Sequence, residues 1–486
     1  MKKLSFCLFL VLCVVYFSAY QSSLSHILFY HEQHHLFLYT KAYYHHIVSS
    51  EGILRYLTNF LIQFFYYPAL GSVLLALLTA SYYLLTQYLI KKLTGLYDVL
   101  QLSILPSLWA FLYTKEAGNE LTLIVGIFLL LCSASLILTP LKKAILPIKG
   151  KNITTKWKLI FSLSMATIFA TGGYFYFLSH YNFSERTMLQ TTEAVQSKDW
   201  DKVLYYTTRY QDAGRNNQLI NYFHLLALYH KGELVHHLLD YPQVLGVRGL
   251  YLPWTSNSRE CEFGHYVYES IGHINEAHRW AFESMVVWGE TEPVLKNLAR
   301  YNILLQRPKV AQRFVNTLKQ SLFYQKEAVE IEQQIKTGKV PDLHYALKNA
   351  PTKPARFSNI LNIGPELQQI LTYDPTNRMA LEYLLCHLLL SNHIEKFVSF
   401  LPLIKDHYDR LPRIFEEALH IYALQAGKEK VTSLGFSISP ETEESFAQYY
   451  TLWKTQDLEA LERSFRSTYW YYLHYISPYG SKVLQE

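Results

Sequence analysis

Charged side chains are scarce in this chain, and acidic ones are nearly missing from its first 180 residues. Only 17% of the 486 residues are charged, against about 25% in an average soluble domain. Residues 1–180 hold thirteen basic residues but only five acidic ones, and the remainder holds 32 basic and 34 acidic residues. The net positive charge therefore belongs to the apolar N-terminal part. A nucleic-acid-binding surface needs basic residues clustered on a folded domain, so nucleic acid is excluded as a partner.

Paired cysteines and recognisable catalytic motifs are missing as well. The chain has five cysteines and no C-x-x-C pair, which argues against a zinc ribbon or a redox dithiol. Cys261 and Cys386 lie outside the apolar runs; they either form a disulfide or pack separately as small apolar side chains, and the second is favoured. No G-x-S-x-G, P-loop or Rossmann glycine fingerprint occurs. Sequence motifs therefore indicate no catalytic residue, no cofactor and no metal ligand.

Long apolar runs are what the first 180 residues do contain. About 20 apolar residues cross the ~30 Å hydrocarbon core of a bilayer, and five runs approach that length: 4–20, 68–90, 98–113, 121–139 and 159–178. The first is interpreted as an uncleaved anchor, because residues 17–19 form a poor signal-peptide cleavage site. The third is the shortest and is interrupted by Pro106. No run carries a charge in its middle, which disfavours a channel or transporter.

Residues 52–67 decide whether the number of spans is odd or even. Arg55, Asn59 and Gln63 form a polar stripe opposite an apolar face, which is typical of a helix lying in the membrane interface. The alternative is a sixth span. With five spans, ten lysines lie on the cytoplasmic side, and only Lys41, Arg55 and Lys115 lie outside; six spans would invert this ratio. The positive-inside rule therefore favours five.

This count predicts the topology of the whole chain. Residues 1–180 form a transmembrane domain with the N-terminus in the cytoplasm. An outer loop at 21–51 and an interfacial helix at 52–67 follow the first span, and the C-terminal part is periplasmic or extracytoplasmic. Six histidines lie in the outer loop: His26, His31, His34, His35, His45 and His46. They are interpreted as part of an aromatic belt at the headgroups, with a metal site as the less favoured alternative.

After residue 180 the apolar residues recur with helical spacing, so the chain as a whole is predicted to be all-α. Residues 268–281 resemble a tetratricopeptide repeat, in which an aromatic residue ends one helix, Gly272 turns the chain and alanines pack the next helix. The resemblance implies a divergent helical array in two blocks, 181–340 and 366–486. The prolines of 341–365 predict a hinge between the blocks.

The layout of the whole chain resembles an uncharacterised family of bacterial inner-membrane proteins. The stretches that look most alike are 63–68 (QFFYYP) and 271–281. The family has an N-terminal anchor, an outer loop, several spans and a tetratricopeptide-like domain. The resemblance implies this architecture and carries no activity.

Two functions remain in competition at this stage. The first is a membrane-anchored interaction protein whose outward helical array binds an envelope protein or peptide. Trp254 and Arg259, in an irregular stretch, are its candidate contact residues, although Trp254 also suits a loop that packs onto the helices. The second is a membrane enzyme acting on a lipid-linked glycan or acyl donor, with Glu32 and Glu51 of the outer loop as its candidate catalytic acids.

Overall fold

The computed structural model describes residues 2–141, 144–148, 154–253, 258–343 and 363–479. Within these ranges the chain forms helices and turns and has no β-strand, which confirms the all-α prediction. The chain divides into two compact units. Unit 1 comprises residues 1–190, 290–296 and 314–330, and unit 2 comprises 191–289, 297–313 and 331–486.

The N-terminal helices contain the apolar runs. In chain order they are α1 (Lys2–Ser22), α2 (Ser25–His34), α3 (Lys41–Ser50), α4 (Ile53–Ile62), α5 (Pro68–Thr94), α6 (Ile104–Tyr113), α7 (Leu121–Leu138), α8 (Thr155–Ser179) and α9 (Phe183–Gln196), with a 3₁₀ turn at Gln63–Tyr66. Among the described residues, four helices are long and apolar enough to cross a membrane: α1, α5, α7 and α8. They coincide with four of the five predicted runs.

The run at 98–113 contains only the ten-residue helix α6. The Asp98 carboxylate accepts hydrogen bonds from the backbone N–H groups of Leu102 (3.1 Å) and Ser103 (2.8 Å), and this turn delays the start of the helix. Ten helical residues rise about 15 Å, which is half of the hydrocarbon thickness. The fifth span therefore stays a prediction.

Hydrogen bonds between the helices establish their relative directions. The Tyr82 hydroxyl donates to the Ile124 carbonyl (2.5 Å) and the Lys92 ammonium donates to the Thr139 carbonyl (3.1 Å). Tyr82 lies in the middle of α5 and Ile124 near the start of α7, whereas Lys92 and Thr139 lie at the ends of these two helices. The two helices therefore run in the same direction. The intervening segment must therefore return along the bundle.

The segment containing α6 makes that return. Ser107 donates to the carbonyl of Thr79 (2.9 Å), and Tyr83 donates to the side chain of Gln101 (2.7 Å), so α6 is antiparallel to α5. Three further hydrogen bonds show that α1 and α8 run parallel to α6. They join Tyr20 to Thr114 (2.6 Å), Ser162 to Val99 (3.0 Å) and Lys115 to His180 (2.8 Å). The five segments thus alternate in direction along unit 1.

Close helix approach in this bundle depends on a glycine. A Cβ atom added to Gly173 in α8 would lie 2.7 Å from both δ-carbons of Leu108 in α6. Real Cβ atoms do not come so near to carbon, so a side chain at position 173 would force Leu108 to move, and glycine lets α8 pack against Leu108 as it does.

Residues 52–67 form α4 and the 3₁₀ turn, and their polar stripe faces inward. The Asn59 amide donates to the Tyr43 hydroxyl (3.0 Å), and the Tyr39 hydroxyl donates to Gln63 (3.0 Å). The opposite face exposes Leu57 and Phe60. An apolar face turned outward suits contact with lipid, so the interfacial helix remains the preferred interpretation.

The helices of the remaining chain come in successive short elements. They are α10 (Trp200–Asp212), α11 (Gln218–Lys231), α12 (Leu234–His237), α13 (Ser258–Cys261), α14 (His265–Ile271), α15 (Ile274–Trp288), α16 (Glu292–Leu304), α17 (Pro308–Leu318), α18 (Gln325–Thr337), α19 (Gly364–Tyr373), α20 (Arg378–Leu390), α21 (Ile394–Phe400), α22 (Arg413–Ala426), α23 (Lys428–Ser433), α24 (Pro440–Thr455), α25 (Leu458–Phe465) and α26 (Tyr469–Tyr471).

Several of these helices form pairs joined by tight turns. Gly272, with a φ of +89°, joins α14 to α15, and Asn392, with a φ of +61°, joins α20 to α21. The pair at Gly272 occurs where the sequence predicted it; its assignment to the tetratricopeptide class stays a prediction. Most of the predicted hinge at 341–365 lies outside the described residues. Cys261 and Cys386 are both buried, and no disulfide joins them.

Candidate functional site

The two glutamates that the sequence proposed as catalytic acids lie in different surroundings. Glu51 is exposed and forms an ion pair with Arg55 one helical turn away, at 3.1 Å. Glu32, on α2, is partly buried and accepts a hydrogen bond from Gln33 at 2.6 Å. Of the proposed partner contacts, Arg259 lies partly exposed in α13, and Trp254 lies outside the described residues.

Glu32 belongs to a cluster of three glutamates in unit 1, which we call the glutamate cluster: Glu32, Glu292 and Glu327. The Lys296 ammonium lies 3.4 Å from one Glu292 carboxylate oxygen and 3.8 Å from a Glu327 oxygen. Lys296 therefore pairs with two of the three carboxylates. Sequence reasoning missed Glu292, Glu327 and Lys296 because they lie more than 250 residues beyond Glu32.

Crowding of like charges and burial both favour the protonated carboxyl groups. Burial raises the pKa of Glu32 to about 7; the hydrogen bond from Gln33 opposes this shift and the charge of Glu327 adds to it. Burial also raises the pKa of Glu292, against the effect of Lys296 and together with the charges of Glu327 and Glu32. Carboxyl groups with such pKa values can exchange protons near neutral pH.

Aromatic packing holds the segments that carry the cluster. The rings of Tyr66 and Phe323 stack with their centroids 5.1 Å apart and their planes 6° apart. The backbone N–H of Tyr39 donates to the carbonyl of Gln320 at 2.9 Å. These contacts fasten residues 314–330 to the segment between α2 and α3 and to the turn after α4, and they bring Glu327 near Glu32.

The neighbouring histidines give no support to a metal site. His34 and His35 direct their Nδ1 atoms to backbone carbonyls four residues earlier, at 2.7 Å in both cases. Burial lowers the pKa of His31 well below its ordinary value and that of His35 to about 4; neutral imidazole is the form that binds metals, so these shifts do not themselves argue against a metal. No group of three or more His, Cys, Asp or Glu side chains within the described parts of the chain is arranged to hold a metal ion.

Unit 2 contains a separate pocket of about 190 Å³, which we call the Lys198 pocket. It is lined by Lys198, Trp200, Tyr229, His230, Tyr266, Glu269, Ser270, Asp342 and Leu343. The rings of Trp200 and His230 stack with centroids 4.1 Å apart and planes only 6° apart. The pocket is thus lined by two stacked aromatic rings, Trp200 and His230, which we call the aromatic wall, and by polar side chains beside them.

The charges of the Lys198 pocket are paired with one another. The Lys198 ammonium lies 2.8 Å from Asp342 and 3.6 Å from Glu269. Buried Arg300, behind the lining, lies 2.7 Å from Asp342, and the Tyr301 hydroxyl donates to Glu269 at 2.7 Å. Two cations therefore match two carboxylates.

This pairing keeps both carboxylates ionised. Burial alone would raise the pKa of Glu269, but hydrogen bonding from His265 and the charges of Arg300 and Lys198 lower it to about 2. The hydrogen bond from Lys198 and the charge of Arg300 likewise overcome burial and lower the pKa of Asp342 to about 2. No sequence pattern marked these residues, because the pocket unites positions from 198 to 342.

The fold and the two sites define an all-helical protein with helices of membrane-spanning length and a helical second unit. The chain belongs to a family of unknown function (DUF6057), whose model matches residues 1–179 and 121–476. No curated protein and no solved structure matches the chain.

Proposed function

We propose that the protein is an anchor in a bacterial inner membrane that presents unit 2 on the outer side as a binding surface for an envelope protein or peptide. The alternating directions of five segments in unit 1 support this topology. They put Lys2, Lys3, Lys91, Lys92 and Lys156 at one end of the bundle. The positive-inside rule makes that end cytoplasmic, and the chain then leaves α8 on the outer side.

The observation that carries the binding role is an exposed apolar face on α15. Phe282, Val286 and Val287 expose 44%, 66% and 47% of their surface. Phe282 and Val286, at spacing i and i+4, share one face of the helix, and Val287 lies about 100° further round. Large apolar side chains grouped in this way mark protein-binding surfaces. The divergent tetratricopeptide-like pairing of the helices agrees with this role, since such arrays bind peptides.

The test is a crosslinking pulldown from detergent extract with Val286→Asp as the disrupting variant. Leu424→Asp is the matched control, because Leu424 is exposed to 57% on another helix of unit 2. We expect a specific crosslinked partner with the wild-type chain and with the control, and its loss with Val286→Asp. Recovery of the same partner by both variants, or no specific partner at all, would refute the role.

A second function is favoured by the glutamate cluster: acid–base catalysis on a lipid-linked glycan or acyl donor. Glu32 follows the first apolar helix, and its pKa of about 7 suits a group that gives or takes a proton at neutral pH. Lys296 would stabilise negative charge that develops on the donor. Glu51, with its exposed ion pair, has no place in this chemistry.

Glu32→Gln and Glu51→Gln distinguish this enzyme from a scaffold. In a strain where deletion gives a phenotype, the enzyme requires that Glu32→Gln reproduce the deletion and that Glu51→Gln leave growth unchanged. Full complementation by Glu32→Gln, with normal protein levels, would eliminate acid–base catalysis at this position.

A further inference from the structure

We infer that the Lys198 pocket of unit 2 binds one uncharged sugar ring, such as a single residue of a glycan. The inference does not depend on the protein partner proposed above. It rests on the charge balance, the aromatic wall, the placement of hydrogen-bonding groups and the size of the pocket.

The charge balance argues for a neutral ligand. Lys198 and Arg300 pair with Glu269 and Asp342 at distances of 2.7 to 3.6 Å. A phosphate or carboxylate would have to compete for Lys198, and an ammonium group would have to compete for the two acids. Breaking a pair that includes buried Glu269 or Arg300 leaves an uncompensated charge, which is unfavourable. A ligand without charge avoids this cost.

The aromatic wall suits one apolar face of a ring. Trp200 and His230 stack in parallel, which fixes both planes, and Tyr229 and Tyr266 line other parts of the pocket. A sugar ring has a face of C–H groups that packs on an aromatic surface, while its hydroxyls remain at the rim. Tryptophan and tyrosine combine an apolar body with a polar group and serve such amphipathic ligands.

Hydrogen-bonding groups stand beside this wall. The Ser270 hydroxyl lies 3.3 Å from Nε2 of His230 and donates to the carbonyl of Tyr266 at 2.8 Å. Glu269 is held by Tyr301 and Lys198, so its position is fixed before a ligand arrives. Acceptors and donors fixed in this way bind hydroxyl groups with little loss of side-chain freedom.

The size of the pocket sets the limit of one ring. Its volume of about 190 Å³ falls below the range of about 300–1,000 Å³ that is usual for drug-sized ligands. A peptide segment or a lipid tail would extend beyond it. A glycan chain would therefore place one residue in the pocket and leave the rest outside.

Calorimetry on the purified full chain in detergent tests the inference. The neutral probes are the methyl glycosides of glucose, galactose and N-acetylglucosamine; the charged and peptide probes are glucuronic acid, glucose 6-phosphate and trialanine. We expect saturable binding of at least one neutral glycoside, weakened at least tenfold by Trp200→Ala and by Ser270→Ala. Ser270→Ala removes one hydroxyl only, so it carries the test if Trp200→Ala does not fold.

Trp453→Ala is the matched control. Trp453 also stacks on a histidine of unit 2, His474, with planes 11° apart, but it does not line the pocket, and we expect binding to be unchanged. The inference is overturned if no neutral glycoside binds, if only charged probes or the peptide bind, or if Trp453→Ala weakens binding as much as the pocket variants do.

Discussion

The glutamate cluster of unit 1 and the Lys198 pocket of unit 2 both contain carboxylates beside a lysine, yet they titrate in opposite directions. Lys296 pairs with Glu292 and Glu327, and the pKa of Glu32 beside them rises to about 7. Lys198 and Arg300 together face two carboxylates, and the pKa of Glu269 falls to about 2. Burial raises the pKa in both places. The local ratio of cations to acids decides which effect prevails.

The largest effect should follow from removing a cation where the charges balance. Arg300→Met leaves Asp342 and Glu269 with Lys198 alone. Arg300 is buried but Asp342 is half-exposed, so the loss should cost about 2 kcal/mol, between the values for exposed and buried pairs. We therefore expect hydrogen exchange of α14 to accelerate about thirtyfold, as measured by mass spectrometry on the detergent-solubilised chain.

Arg463→Met is the control for that variant. Its ion pair with Glu459, at 2.7 Å, is exposed on both sides, so its loss should leave exchange unchanged. Equal exchange rates for Arg300→Met and the wild type would show that the charges in the pocket do not stabilise unit 2.

The stability that the two sites supply should depend on pH in opposite ways. Glu269 and Asp342 have lowered pKa values, so the stability they supply is present above their ordinary values of 4.5 and 3.8 and is lost as the pH falls toward about 2. Glu32 has a raised pKa, so the stability that it supplies is fully present below pH 4.5 and is lost as the pH rises toward and through about 7.

Hydrogen exchange of α2 and α14 over pH 2 to 9, corrected for intrinsic rates, measures both windows in one experiment. We expect α2 to lose protection on the alkaline side and α14 to lose it on the acidic side, each by roughly tenfold. Loss of protection on the same side of neutrality in both helices would contradict the opposite titration.

The smallest effect should come from neutralising the crowded site. Glu32→Gln removes one of three mutually repelling carboxylates, so we expect α2 to exchange several-fold more slowly than the wild type at pH 8 and equally at pH 4.5. Glu51→Gln, which changes an exposed pair, should alter neither value. Faster exchange of Glu32→Gln at pH 8 would mean that the ionised carboxylate stabilises the fold.

The sequence predicted elements that depend on local pattern better than it predicted either site. Four apolar runs became helices of membrane-spanning length, because hydrophobicity over about 20 residues is a local property. The run at 98–113 gave only a short helix, since Asp98 holds a turn at its start. Glu32 was identified, whereas Glu292 and Glu327 were not, because only the tertiary fold brings them to α2.

Reporter fusions at the C-terminus test the topology on which the proposed function depends. An outward unit 2 predicts active alkaline phosphatase and non-fluorescent GFP at the C-terminus, with the reverse for reporters inserted between α7 and α8. Bright GFP and inactive phosphatase at the C-terminus would put unit 2 in the cytoplasm and contradict the account.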